Sequence, residues 1–314
     1  MREQDWVVSV VVPTLNRHED ISFFVQSLCQ QSHQPNEFIV VDAGEESDLQ
    51  DKLHNWLKDT TIELIYCRST PGTSVQRNVA IKRAKGDILF FFDDDVILEP
   101  DYIEKTLPCF SIPTEPPVGG VLGTFTSPYR QKWQKKLFFK LFRMSHSVEG
   151  DTAHFMSSSD TQWLVKPSKV VPVPVCSGGR VAFRKECFEK ELWDDFLPGY
   201  TMSEDVEISY RIARNWTLVQ TPYALLYHER SEHSRNDFSD RIARRLFSRY
   251  YIFQKNIPKN PRTIAGFIWW NIGASILYSV PAIFNKNQDR RIQGLKNGYK
   301  LCGKHLLKKY SFSK

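Results

Sequence analysis

The sequence predicts an α/β protein built on a doubly wound, mostly parallel sheet, and three observations carry that prediction. Apolar runs of strand length alternate with amphipathic, helix-length segments over the first hundred residues. The runs lack the period-two alternation of a half-exposed strand, as expected where helices cover both faces of a sheet. Polar and acidic residues stand at the carboxyl ends of the runs, where ligands gather in sheets of this kind.

The first run, Val7 to Val12, leads into Pro13, Thr14 and Asn16. Ile21, Phe24, Val25 and Leu28 then recur at helical spacing. The second run, Phe38 to Val41, ends in Asp42 and Gly44, and Leu49, Leu53, Trp56 and Leu57 mark a helix before the third run, Ile62 to Tyr66. Val75, Val79, Ala80 and Arg83 open another helical face before the fourth run, Ile88 to Phe92, which ends in Asp93, Asp94 and Asp95. Right-handed crossovers turn such a series into a parallel sheet. From about 111 to 175 prolines recur (Pro113, Pro116, Pro117, Pro128, Pro167, Pro172, Pro174) around a helix-like, aromatic and basic stretch from Trp133 to Met144, which predicts long connections and acceptor-side elements. Further on, Val206, Ile208 and Ile212 follow helical spacing with Ser203 placed as N-cap.

At 314 residues, 41% apolar and 25% charged, the chain can bury a full core in one large domain or two smaller ones. That composition excludes intrinsic disorder, and no short period recurs, which excludes solenoid and collagen-like architectures. The net charge is +6, yet residues 285–314 carry nine basic groups against one Asp, so everything before them is slightly acidic. This concentration disfavours an evenly basic nucleic-acid-binding body and points the tail toward an anionic membrane surface. Cys29, Cys67, Cys109, Cys176, Cys187 and Cys302 form no CxxC or zinc-type spacing and fit a reduced compartment. No signal-peptide pattern precedes the first strand, so a cytosolic location is expected.

Three adjacent carboxylates at the mouth of an apolar strand repel one another unless protons or a cation intervene. A hard divalent ion, Mg²⁺ or Mn²⁺, is the simplest remedy, because it bridges carboxylates to phosphate oxygens. Alternate residues of a strand share a face, so Asp93 and Asp95 reach one pocket and Asp94 points elsewhere. The alternative is a solvated acidic turn capping the helix near Pro100. Glu204 and Asp205 likewise have two readings: partners of a helix dipole, or a carboxylate that takes a proton from an attacking hydroxyl, a role worth roughly 10² to 10⁴ in rate.

Several stretches together resemble the inverting glycosyltransferases of family 2, which have the GT-A fold. Val10 to Arg17 looks like the opening strand and loop of that family, Phe38 to Gly44 like its second strand, and Gly72 to Ile81 like its arginine-asparagine helix. Ala84 to Asp95 is similar to its DXD strand, Cys176 to Arg184 to its acceptor-side glycine motif, and Ser203 to Arg211 to its ED motif. The matches cover about residues 7 to 230. The resemblance implies donor-binding roles for Pro13, Thr14, Asn16, Asp42, Arg77, Asp93 and Asp94. Thr14 and Asp42 would hold the base, Arg77 the nucleotide or its phosphates, and Asp93 the ribose side. It further implies metal ligation by Asp95, Asp93 and His228, an acceptor side at Gly178, Gly179 and Arg180, and Asp205 as catalytic base with Glu204 second. His228 has the alternative of a structural histidine, as has His233. The sequence departs from the family pattern at Ala43, where a second Asp is usual, and at Arg180, where Asn is common. It has no QxxRW sequence, so single-sugar transfer rather than processive synthesis is implied.

Thr263 to Phe284 contains no charge and as one helix would span roughly 33 Å, enough to cross a bilayer. Basic residues flank both ends, so the positive-inside rule has no side to choose. A segment dipping into or lying on the cytosolic leaflet follows; the alternative is a buried helix packed on the catalytic domain. Ile292, Leu295, Tyr299, Cys302 and Leu306 then form a helical stripe beside Lys296, Lys300, Lys304 and Lys308, the pattern of a basic membrane-surface helix. The expected organisation is a catalytic domain over 1–235, with a nucleotide-sugar half to about 110 and an acceptor half beyond, and a basic, membrane-associating helical region over 236–314. The expected location is the cytoplasmic face of the plasma (inner) membrane, peripheral or monotopic, with a soluble cytoplasmic enzyme as alternative. The expected activity is transfer of one sugar from a nucleoside diphosphate-sugar to a glycan or lipid-linked saccharide in cell-surface polysaccharide or glycoconjugate synthesis. A sugar nucleotidyltransferase, disfavoured because no glycine-rich loop follows the first strand, and a catalytically inactive sugar-binding protein are the alternatives.

Overall fold

The computed structural model describes residues 5–45, 48–127, 131–196, 202–228, 237–284 and 289–311. In chain order the first half runs β1 (Val8–Thr14), α1 (His18–Cys29), β2 (Glu37–Asp42), α2 (Leu49–Leu57), β3 (Glu63–Arg68), α3 (Thr73–Arg83), β4 (Ile88–Phe92), β5 (Val96–Leu98) and α4 (Tyr102–Thr106). There follow β6 (Val118–Phe125), α5 (Trp133–Leu141), β7 (His146–Val148), β8 (Gln162–Leu164), β9 (Val171–Pro172), β10 (Arg180–Arg184), α6 (Glu204–Ile212) and β11 (Thr217–His228). Three long helices close the chain: α7 (Phe238–Asn256), α8 (Pro261–Phe284) and α9 (Asp289–Ser311).

The main sheet has the order β3-β2-β1-β4-β10-β6-β11-β5, with β9 paired to β11. β3, β2, β1 and β4 pair in parallel, as does β6 with β11, while β10, β5 and β9 run against their neighbours. Alternation along the strands explains the unbroken apolar runs. Val8, Val10, Val12, Phe38, Val40, Phe90 and Phe92 face one core with α1, α2 and α4. Val11, Ile39, Val41, Leu89 and Phe91 face a second core with α3 and α6. Each face buries its own hydrophobic layer, so no position in β1, β2 or β4 is left for solvent except Pro13.

Three expectations need correction. β3 is the edge of the sheet and only partly buried, since one neighbour is missing on its outer side. The stretch predicted as long connections contains β6, a buried strand in the second half of the sheet. Its Gly119, Gly120 and Gly123 mimic a turn signal, but each is a packing device. A Cβ would lie 2.5 Å from Trp216 at Gly119, 2.7 Å from Leu218 and Phe183 at Gly120, and 2.2 Å from the Tyr102 hydroxyl at Gly123. Finally, Ser203 precedes α6 with a left-handed backbone (φ 75°) and no side-chain cap; its carbonyl instead accepts the Glu207 amide at 3.1 Å.

The C-terminal helices close over α5. Trp270, Ala274 and Tyr278 of α8 bury against Phe139, Phe142 and Met144 together with Ile242 and Leu246 of α7. Gly294 and Gly298 let α9 approach the α7 backbone, where a Cβ on Gly294 would stand 2.6 Å from the Ser239 carbonyl oxygen. The buried carboxylate of Asp160 ties these parts together, accepting from Arg249 at 2.9 Å, from the Trp270 indole at 2.9 Å and from the Ser145 amide at 2.9 Å. Among the described residues α8 is the one helix long and apolar enough to cross a membrane, by length and composition. Its opposite face exposes Ile264, Ile268, Ile272, Ile276 and Val280 at four-residue intervals. One face of α8 packs on the protein and the other is apolar and exposed.

Candidate active site

β4 pairs with β1 while β2 and β3 lie on the other side of β1, so the strand order reverses between β1 and β4. Their carboxyl ends splay apart at this switch point and leave the crevice in which α/β sheets bind ligands. Thr14, Asp42 and the three aspartates stand at or just beyond the carboxyl ends of β1, β2 and β4, with Asn16 two residues after β1. The strand ends at Phe92, and Asp94 and Asp95 lie in the turn that follows. Asp94 turns toward the β1 loop, accepting from the Thr14 hydroxyl at 2.8 Å and from Arg17 at 2.9 Å. Asp95, which Arg17 also reaches at 3.4 Å, and Asp93 meet His228 at the end of β11, their donor atoms all within 4.8 Å of one another. His228 Nε2 stands 3.0 Å from Asp95, and its ring stacks on Phe125 at 5.5 Å. Two carboxylate oxygens and an imidazole nitrogen converging in this way fit a small divalent ion. His233 lies outside the described residues.

Asp94 and Thr14 therefore bond to each other. Burial raises the Asp94 carboxyl to about 7, while Arg17 and Thr14 pull it back. Asp42 is buried and saturated, accepting from the Gly44 amide at 2.7 Å, the Tyr66 hydroxyl at 2.7 Å and Arg68 at 3.1 Å. Asn16 adopts a left-handed backbone (φ 56°) and accepts from the Glu45 amide at 3.1 Å, closing the β1 and β2 loops together. Pro13 lies partly buried in β1. Gln76 of α3 spans the same two strands, donating to the Thr14 and Val41 carbonyls at 2.9 and 2.7 Å.

Arg77, one position along α3, is the hub of the crevice. Its buried guanidinium lies 3.2 Å from Glu204 and 3.4 Å from Asp93, and stacks 4.5 Å over Trp193. Its Nε is buried without a hydrogen-bond partner. Trp193 is held in turn by Asn78, whose side-chain amide exchanges hydrogen bonds of 2.8 and 3.0 Å with the Trp193 backbone. Gly178 and Gly179 press on the same hub. A Cβ at Gly178 would come 2.5 Å from Arg77, and one at Gly179 would come 2.1 Å from Asp93 Oδ2. The paired glycines therefore seat Arg77 and Asp93 as well as bounding the cavity. Arg180 is not in that cavity: it is buried behind the glycines, donating to the Gly123 carbonyl and stacking 4.3 Å over Phe125. The strand period carries its side chain to the sheet face it shares with Ala182, on the side of the first core and Tyr102.

Glu204 and Asp205 open α6 opposite Asp93. Burial raises the proton affinity of both, and for Glu204 the neighbouring Asp205 adds to it while Arg77 opposes it. The Val206 amide donates to Asp205 at 2.8 Å. Asp93 is also held above the usual carboxylate range by the depth of the crevice, with Arg77 opposing, although 42% of its side chain is open to the cleft. Between these groups lies a cavity of about 440 Å³, lined near the sheet by Arg77, Asp93, Gly178, Gly179, Glu204 and Asp205, and farther out by Lys135, Phe139, Trp163, Arg245 and Arg249. Arg17, Gln76, Trp193, Lys135, Arg245 and Arg249 are site residues that sequence reading passed over. Gln76 adjoins a recognised motif, but Lys135 and Arg245 lie on helices read as a connection and as a membrane flank.

A mixed sheet with aspartates at its switch point, facing a second carboxylate pair across one cavity, defines the GT-A class of architecture. Glycosyl transferase family 2 matches residues 9–191, more than half of the chain, and the chain belongs to that family. One relative, from Bacillus subtilis (strain 168) and named "Putative teichuronic acid biosynthesis glycosyltransferase TuaG", is 35% identical over 102 residues, 32% of this chain and 40% of that one. The glucosyl-dolichyl phosphate glucuronosyltransferase of Haloferax volcanii is 31% identical over 119 residues, 37% of this chain and 38% of that protein. The chain thus matches about two fifths of the length of these relatives. Among solved structures, the mannosyltransferase PcManGT from Pyrobaculum calidifontis, in complex with GDP-Man and Mn²⁺, superimposes with a TM-score of 0.54 at 16% identity, covering 94% of this chain and 88% of that one.

Proposed function

We propose that the protein is an inverting, metal-dependent glycosyltransferase that moves one sugar from a nucleoside diphosphate-sugar to a glycan or lipid-linked acceptor in cell-surface polysaccharide or glycoconjugate synthesis. The supporting observation is that one cavity is bounded by Arg77 and Asp93 on one wall and by Glu204 and Asp205 on the other. In this role Pro13, Thr14, Asn16 and Asp42 shape the nucleotide end, Asp94 braces it through Arg17, and Arg77 meets the diphosphate. Asp93, Asp95 and His228 would hold Mn²⁺ or Mg²⁺, the imidazole nitrogen favouring Mn²⁺. When bound, such an ion neutralises the charge that builds on the departing diphosphate.

Asp205 takes the proton of the acceptor hydroxyl, and its raised proton affinity suits a base working nearer neutrality than an ordinary carboxylate. Glu204, engaged by Arg77 at 3.2 Å, is the less available of the two. The deprotonated oxygen bonds to the anomeric carbon as the carbon–oxygen bond to the diphosphate breaks on the opposite side. The bonding pair leaves with the phosphate, and a single displacement inverts the centre. Gly178 and Gly179 border the acceptor's approach.

Residues 1–235 would form the catalytic unit, with a donor half to about 110 and an acceptor half beyond. Residues 236–314 would attach it to the anionic cytoplasmic face of the plasma (inner) membrane; the boundary between the two falls outside the described residues. The open apolar face of α8 continues through Trp269, whose indole donates to the Leu141 carbonyl at 2.8 Å, to Trp133, Leu137 and Leu141 of α5. This strip, with the exposed lysines of α9, suits a lipid surface. Thermal unfolding with a panel of nucleoside diphosphates tests the donor site, because a ligand bound only by the folded state raises the midpoint. Stabilisation that depends on Mn²⁺ and disappears in Asp95→Ala is expected, together with an Asp205→Asn variant that binds normally and does not turn over. Nucleotide binding indifferent to exhaustive chelation, or full activity in Asp205→Asn, refutes the proposal.

A further inference from the structure

The cavity wall carries two groups of charge: Asp93, Glu204 and Asp205 around Arg77, and Lys135, Arg245 and Arg249 with Asp160. Arg249 is already spoken for, paired with Asp160 at 2.9 Å and donating to the Ser159 carbonyl. Lys135 and Arg245 are different. Among the described residues neither makes an ion pair or hydrogen bond; each only flanks the Phe139 ring, Lys135 Nζ at 5.3 Å and Arg245 Cζ at 5.9 Å from its centroid. Arg245 stands one turn before Arg249 on α7, and Arg249 feels the charges of both Arg245 and Asp205. Two uncompensated cations on an aromatic platform repel each other and await an anion. Neither belongs to the Asp93, Asp95 and His228 group that would seat the donor's diphosphate, and on the glycosyltransferase reading a further anion in this cavity is the acceptor's.

We propose that Lys135 and Arg245, standing over Phe139, form a subsite for a phosphate group carried by the acceptor. The inference rests on the glycosyltransferase reading above and specifies the acceptor's chemistry. The surroundings indicate where that phosphate comes from. α5 presents Lys135 and Phe139 to the cavity, and its outward side exposes Trp133, Leu137 and Leu141, with Trp133 71% exposed. A phosphate bound at Lys135 would therefore be separated from an open apolar surface by the width of α5 alone, within reach of a lipid chain that joins it to a saccharide.

The test uses the full chain and three probes, hexyl phosphate, inorganic phosphate and 1-hexanol, titrated calorimetrically, with Lys135→Gln/Arg245→Gln as the variant. Gln keeps part of each stem against Phe139, and Lys135→Gln alone, at an exposed position, repeats the test if the pair does not fold. Saturable binding of hexyl phosphate by the wild type, weakened at least tenfold in the variant, is expected; Arg245→Lys should retain it, and a control replacing the remote Lys58 and Lys82 should not change it. Hexanol should not bind. Tighter binding of hexyl phosphate than of inorganic phosphate assigns the group to a lipid-linked acceptor, and equal binding assigns it to a water-soluble phosphorylated one. Absence of saturable phosphate binding, or variant affinity within twofold of wild type, overturns the subsite. Mn²⁺-dependent nucleotide binding, measured on the same preparations, separates the two levels. If it persists while phosphate binding is absent, only the subsite fails; if it is missing from the wild type, the transferase reading fails.

Discussion

Gly179→Ala isolates the seat of Asp93 from the stability of the fold. The added methyl carbon would lie 2.1 Å from Asp93 Oδ2 and 2.5 Å from its Cγ, whereas ordinary contact begins near 3.4 Å. The carboxylate must therefore retreat by about 1.3 Å, well beyond the ~0.5 Å tolerance of a productive constellation. Retreat itself costs the fold little. Asp93 is 42% open to the cleft and its contact with Arg77 is a long one, at 3.4 Å. A displacement of ~1 Å at a reacting centre costs on the order of 10² in rate, or ~2.7 kcal/mol of transition-state stabilisation. Release of nucleoside diphosphate from donor sugar by hydrolysis, followed with Mn²⁺ present, reads this without knowledge of the acceptor. The expected result is a loss on the order of a hundredfold, weakened Mn²⁺-dependent nucleotide stabilisation, and a thermal midpoint without ligand within a few degrees of wild type. Hydrolysis within threefold of wild type in a normally folded variant would refute the placement of Asp93 in the reacting site.

Three further outcomes follow from the packing and the charges. Asp160→Ala leaves Arg249 buried without its carboxylate and removes the acceptor of the Trp270 indole, so chemical denaturation should show a loss of about 3 to 5 kcal/mol; a loss below ~1 kcal/mol would contradict a buried pair. Burial and Asp205 raise the Glu204 carboxyl in the folded state, so the native protein binds more protons than the unfolded chain and its stability falls as pH rises from the ordinary carboxylate range toward neutrality. Glu204→Gln should flatten that slope in denaturation curves collected across the interval, and an unchanged slope counts against the shift. Replacing Trp133, Leu137 and Ile268 together with Ser should reduce co-sedimentation with anionic vesicles by more than tenfold, since each buried apolar side chain contributes on the order of 1.5 to 3 kcal/mol; unchanged co-sedimentation removes the membrane assignment of that face.

The donor half was legible because its physics is local. Unbroken apolar runs place β1, β2 and β4, and the expected grouping of Asp93 with Asp95 matches their meeting at His228, although Asp94 and Asp95 lie in a turn beyond the strand. The outer half was not legible, for three reasons that recur in the residues themselves. Gly119, Gly120 and Gly123 of β6 carry a turn signature, and their need for close packing against Trp216, Phe183 and Tyr102 exists only once distant segments meet. Arg180 falls inside a matching motif, yet its strand turns it away from the cavity toward Gly123 and Phe125. Lys135 and Arg245, 110 positions apart, become neighbours only through the shared ring of Phe139. Arg17, beside an opening motif that was recognised, was missed because its partners lie 77 and 78 positions away.

Asp160 accepts at once from α7, from α8 and from the loop after α5, and this has a practical corollary for anyone seeking a soluble fragment. Truncation ahead of Pro261 would strip Trp270 from that carboxylate and uncover Phe139, Phe142 and Met144. The last two helices are thus masonry for the cavity wall, and removing them to ease purification would sacrifice the very surface on which Lys135 and Arg245 stand.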